Sequence, residues 1–187
     1  MTILLTFHSH EGQTAKIADR IAARLRASGI DVDVRAVDAA PAPDRYDAVV
    51  FGDSIRFERH SRALRRYLGK HRDVLVNRPT AMFQVSMTSA GTDADHVAKA
   101  AEMADKLVRQ AQVQPDLVEL FAGAIAYSKY GWVTKRVMRS IARREGNGTD
   151  MSRDHEYTDW AAVDRFAEQI AALVRGRALE LPATRDA

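Results

Sequence analysis

Short β-prone apolar runs alternate with helix-period stretches along nearly all of this 187-residue chain, and no other feature limits the possible folds as much. Residues 2–7 (TILLTF) read as a strand. Residues 13–28 follow with Ile17, Ala18, Ile21, Ala22 and Leu25 on one helical face. Gly29 sits where a helix-ending glycine is expected. Residues 31–37 alternate as a second strand, with Val32, Val34 and Ala36 on one side, and Pro41 and Pro43 mark a loop. Residues 46–52 (YDAVVFG) read as a buried strand, 60–71 as a helix and 80–86 (TAMFQVS) as a fourth strand. Residues 93–112 form a long helix with Val97, Ala101, Ala104 and Val108 in register; 117–125 are a fifth strand and 159–175 the last helix.

Such alternation implies parallel βαβ units with helices on both faces. Five strands in this order suit a doubly wound α/β sheet of order 2-1-3-4-5. Sheets of that kind bind ligands beyond the carboxyl ends of their strands, at the switch point. The loops after strands one, three, four and five are therefore the candidate site. With no internal repeat or linker, residues 1–176 are expected to form one domain, with 177–187 as a loose tail.

Composition narrows the chemistry. There is no cysteine, which removes disulfides, thiolate metal sites and cysteine nucleophiles. The 28 basic and 25 acidic residues leave a charge of +3, too small to call for nucleic acid. No signal peptide and no membrane-spanning run stand out, so a cytoplasmic location is expected. Asp154-His155-Glu156 does not have the spacing of a metal site and reads as a solvated turn. No Ser-His-Asp set stands out, and His8 and His10 flank Ser9 too closely to serve it as a triad base.

The first loop, Ser9-His10-Glu11-Gly12-Gln13-Thr14, holds two hydroxyls, a glycine and no bulky aliphatic residue. Unpaired amides and the dipole at the following helix start would suit a phosphate. Ser9 and Thr14 could donate further bonds, and Gly12 would admit a close backbone approach. By itself the loop equally suits an ordinary βα connection. GxGxxG and GxxxxGK[ST] are both absent, which favours a mononucleotide over a dinucleotide or ATP.

The loop resembles the FMN-phosphate motif of flavodoxins, [ST]-x-[ST]-G-x-T, with Glu11 where a hydroxyl residue is usual. An acidic residue before Gly-Gln-Thr is similar to one branch of that superfamily, the menaquinone-dependent protoporphyrinogen IX dehydrogenases. Two further segments carry the same resemblance: Gly52-Asp53-Ser54-Ile55-Arg56-Phe57 with His60 nearby, and Tyr157-Thr158-Asp159-Trp160 after a long insertion. The resemblance implies a flavodoxin-like fold and FMN as cofactor. It implies oxidation of protoporphyrinogen IX, with electrons passed to menaquinone or ubiquinone. Ser9, His10, Glu11, Gly12, Gln13 and Thr14 would hold the phosphate, with the Glu11 side chain turned away from it. Ser54, Ile55, Arg56 and Phe57, then Ser86, Met87 and Thr88, then Gly123 and Ala124 would meet the ribityl chain and ring. The flavin would carry the redox step. His60 is a candidate for proton handling and Arg56 for an acidic substrate.

The insertion 127–157 is far longer than a usual βα loop of about 2–6 residues. Lys129, Lys135, Arg136, Arg139, Arg143 and Arg144 surround an apolar stripe of Val133, Val137, Met138 and Ile141, with Trp132 at its start. This pattern fits a basic amphipathic helix over 129–144 that either packs on the domain, covers a substrate or meets anionic lipid. Three alternatives stay open: a soluble FMN electron carrier, an NAD(P)H:quinone reductase and a binding module without FMN. The oligomeric state is open as well.

Overall fold

Periodicity in the sequence becomes two apolar layers on either side of one sheet. The computed structural model describes residues 1–86, 94–125 and 155–180. Its main sheet has five parallel strands in the order β2-β1-β3-β4-β5. They are β1 (Thr2–His8), β2 (Asp31–Ala36), β3 (Ala48–Ser54), β4 (Thr80–Ser86) and β5 (Leu117–Ala122). Between them lie α1 (Gln13–Ala27), α2 (Arg62–Lys70), α3 (Arg72–Leu75) and α4 (Ala94–Ala111). A two-residue strand β6 (Ala124–Ile125) pairs antiparallel with β7 (His155–Glu156), and α5 (Trp160–Glu180) closes the fold.

Successive residues of a strand point to opposite faces. Ile3 and Leu5 of β1 meet Ile17, Ile21 and Leu25 of α1 and Phe166, Ile170 and Val174 of α5. Leu4, Val49, Phe51 and Met82 face the other way, onto Leu64 and Leu68 of α2 and Leu107 of α4. Each such fully buried side chain contributes about 1.5–3 kcal/mol of transfer free energy. α1 ends as its glycine foretells: Gly29 takes φ +78°, and the Ile30 amide returns to the Leu25 carbonyl at 3.1 Å.

The structure moves several expected features. α4 buries Ala100, Met103, Ala104, Leu107 and Ala111, while Val97 is exposed. The bulk of Met103 and Leu107 sets which side of the helix turns inward. β3 starts at Ala48, because Tyr46 is held outside the strand by its hydroxyl donating to Asp33 at 2.6 Å. α2 starts at Arg62, because Ser61 Oγ caps it by accepting from the Leu64 amide at 3.1 Å. His155 and Glu156 form a strand where a solvated turn was expected. The last helix continues past Arg175 to Glu180. The basic segment 129–144, Met87, Thr88 and Asp154 lie outside the described residues.

Candidate functional site

The carboxyl ends of β1, β3, β4 and β5 come together, and their loops carry the residues singled out above. Gly12 precedes α1 with φ +104°, a conformation that a β-carbon would strain. Ser9 Oγ accepts from the amides of Gly12 at 3.1 Å and Ala15 at 3.3 Å. The amides of Gln13 and Thr14 have no acceptor among the described residues. Two amides are thus left open at the positive end of the helix dipole. Thr14 itself is buried.

The Gln13 side chain is committed elsewhere. Its amide nitrogen donates to Thr158 Oγ1 at 2.8 Å, and the Thr158 hydroxyl donates to the Ala122 carbonyl at 2.8 Å. The Tyr157 amide reaches the Gly123 carbonyl at 3.1 Å, and the Gly123 amide reaches the Ser86 carbonyl at 3.0 Å. Two phrases separated by more than 140 residues are therefore one structure. Asp159 caps α5, its carboxylate accepting from the Ala161 and Ala162 amides at 2.9 and 3.1 Å. Those bonds, chiefly the Ala162 one, hold its pKa below the usual carboxylate value. The Trp160 indole donates to Glu156 at 2.7 Å.

After β3 the chain makes a tight turn. Arg56 and Arg59 exchange backbone bonds at 3.2 and 3.1 Å, with Phe57 and Glu58 both at positive φ, 49° and 58°. Positive φ at both central residues is the signature of a type I′ turn, normally occupied by Asn and Gly. A bulky residue there costs of order 1–3 kcal/mol. Phe57 is nonetheless 82% exposed, with the Arg56 guanidinium 5.1 Å from its ring centre. Arg56 also reaches back to His10 Nε2 in the first loop. Burial, then Arg56 and His8, lower the His10 pKa, which suits a neutral ring accepting from the guanidinium. The Ile55 amide is bound to the Val85 carbonyl at 2.9 Å, so it is spent within the sheet.

Asp53 is the residue that sequence reasoning passed over. It is fully buried at the end of β3. Its Oδ2 accepts from His60 Nδ1 at 3.0 Å and from the Ser61 amide at 2.7 Å. Its Oδ1 lies 3.3 Å from His8 Nδ1, an ion-pair contact rather than an aligned hydrogen bond. Burial alone would raise the Asp53 pKa, but His60, His8 and Ser61 together hold it below the usual value. His60 is enclosed, so it sits behind Asp53 rather than at the mouth of the site. The signal was present in the strand: Val49, Phe51 and Asp53 share one parity, so a carboxylate follows two core residues onto the same buried face. Among the described residues no cluster could hold a metal ion.

Comparison with known proteins adds a lineage to this geometry. A family model described as a flavodoxin domain matches residues 4–152. The protoporphyrinogen IX dehydrogenase (quinone) of Escherichia coli strain K12 is 32% identical over 175 residues, covering 92% of this chain and 96% of that protein. The protein of the same name from Leishmania major is 33% identical over 174 residues, covering 91% of this chain and 74% of its own. Among solved structures, oxidised flavodoxin 1 of Bacillus cereus superposes with a TM-score of 0.57 at 13% identity, covering 92% of this chain and 98% of that one. A flavodoxin from the domain Archaea gives 0.55 at 16%, covering 94% and 99%. These two likenesses concern the fold alone.

Proposed function

Since the chain belongs to the flavodoxin domain family, and is a relative of the protoporphyrinogen IX dehydrogenases (quinone) over 92% of its length, we propose that it is an FMN-dependent oxidoreductase. Its substrate on this reading is protoporphyrinogen IX, oxidised to protoporphyrin IX for haem synthesis. The electron acceptor is a membrane quinone, menaquinone or ubiquinone.

The observation that supports the reading most is the Gln13–Thr158 tie. It joins the two phrases that most resemble the dehydrogenases, at the end of the sheet where ligands of this fold bind. The first loop fits a phosphate ester: a positive-φ glycine, two open amides and a helix dipole meet at one place. On this reading the loop from Ser9 to Thr14 holds the FMN phosphate through its backbone, with Ser9 ordering the loop as well. Ser54 and the Arg56–Phe57 turn lie against the ribityl chain and ring, and the exposed Phe57 supplies a stacking face. Ser86, Gly123 and Ala124 border the ring, with Met87 and Thr88 assigned from sequence position. Bound FMN supplies the two-electron redox chemistry. The protein's part is to bind, orient and shield; Arg56 is the cation for a propionate or the phosphate. The basic segment 129–144 then rests on anionic lipid at the cytoplasmic face, bringing the site to the quinone.

The test is direct. Holo-protein given protoporphyrinogen IX and a menaquinone analogue should produce porphyrin fluorescence well above the spontaneous rate. A rate equal to background removes the dehydrogenase. Bleaching of the flavin by NAD(P)H would instead make the protein a quinone reductase. A colourless protein that cannot be reconstituted with FMN would make it a binding module.

A further inference from the structure

One row across the sheet is polar where the fold would accept apolar residues. His8 of β1, Asp53 of β3 and Gln84 of β4 are register neighbours on the face that otherwise buries Leu4, Phe51 and Met82. A buried carboxylate at the centre of such a row is costly unless a cation compensates it. Two imidazoles contact it. His60 donates from Nδ1, and its Nε2 is enclosed with no hydrogen-bond partner. A proton on that nitrogen would be a buried donor without an acceptor. His8 is different. Its side chain is 31% exposed, its Nδ1 faces Asp53 Oδ1 at 3.3 Å and Ser54 Oγ at 3.4 Å, and its Nε2 has no partner among the described residues.

We propose that His8 is a titratable cation of the site, donating from Nε2 to an anionic oxygen of the bound cofactor, and that Asp53 and His60 position it. The inference rests on the FMN reading above. His8 adjoins Ser9, the first residue of the proposed phosphate loop, and its contact Ser54 belongs to the proposed ribityl wall. Two carboxylates act on it in the same direction. Asp53 from β3 raises its pKa, chiefly through the close Nδ1–Oδ1 contact, and Asp38 after β2 adds to this; partial burial of the ring opposes them without reversing the shift. Its own loop contributes His10, whose pKa is lowered and which accepts from Arg56. Of the two histidines, His8 is thus the one suited to carry a proton, beside the permanent charge of Arg56. A group with a raised folded-state pKa carries its proton below that pKa and loses it as pH rises through it. Affinity for an anion held by His8 follows the same course.

The experiment pairs histidine NMR titration of the apo-protein with FMN affinity from flavin fluorescence quenching, between pH 6 and 9. In the wild type the His8 inflection should lie above the ordinary histidine value, and Asp53→Asn should move it down. FMN binding should weaken by about tenfold as pH rises through that inflection, the size of one charge-assisted hydrogen bond. His8→Gln should bind FMN about tenfold more weakly at pH 6. Its remaining pH dependence should be that of FMN itself. If either variant fails to fold, the wild type still decides, because bound FMN must raise the His8 inflection by linkage. Wild-type and His8→Gln affinity profiles that superimpose would overturn the inference, as would a His8 inflection indifferent to FMN. A wild type that binds no FMN at any pH removes the cofactor reading itself. Binding with a flat His8 response removes only the role of His8.

Discussion

Gly52 is the residue at which the sheet has least room. A β-carbon there would lie 2.0 Å from Phe83 Cζ and 2.4 Å from both ring Cε atoms, and Phe83 is itself fully buried. Overpacking of this kind costs about 1–3 kcal/mol or more. Gly52→Ala should lower the urea midpoint accordingly, and adding Phe83→Leu should restore part of the loss. An alanine variant as stable as the parent would mean the ring has space to move. The sequence displayed Gly52 inside the recognised Gly-x-Ser-Ile-Arg phrase. Its reason was hidden, because the constraint comes from a strand more than 30 residues away. Asp53 was hidden for the same cause. In sequence it is one more polar residue in a loop phrase, and its two imidazole partners come from different elements.

At the scale of elements, two devices shape the site. The first is the Gln13–Thr158 bond that ties the start of α1 to the approach to α5. Both groups are partly or wholly buried, so removing one leaves the other unpaired. Gln13→Ala and Thr158→Val should each destabilise the fold. A double-mutant cycle in urea should give a coupling of about 0.5–1.5 kcal/mol. Additive effects would show that the bond adds nothing. The second is the strained turn at Phe57 and Glu58. Replacing the pair with Asn-Gly should stabilise the apo-protein by about 1 kcal/mol, since those residues accept positive φ. The same change should weaken FMN binding by removing the exposed ring. Tighter binding after the swap would assign Phe57 no stacking role.

At the scale of the molecule, α1 and α5 are locked side by side. Arg20 meets Asp164 through two bonds at 2.7 and 2.8 Å, and Arg175 donates to the Ser28 carbonyl at 2.6 Å. Among the described residues no helix is long and apolar enough to cross a membrane. The contact with anionic lipid proposed above rests on the basic charge of 129–144. Co-sedimentation with anionic liposomes should fall several-fold when Arg139, Arg143 and Arg144 are all changed to Glu, and should fall with added salt. Unchanged binding would assign the segment to substrate or to packing.

The sequence by itself determined the order of the five main strands and the 2-1-3-4-5 sheet, and it set the expectation of a ligand at the carboxyl ends of the strands. These follow from local periodicity and from loop chemistry, which neighbouring residues carry in full. Only the tertiary structure decided which face of α4 turns inward, that Gln13 serves Thr158 as well as its own loop, and that Asp53 sits buried between two histidines. Those are contacts between segments far apart in the chain. Their energy depends on burial and register, which no local pattern encodes.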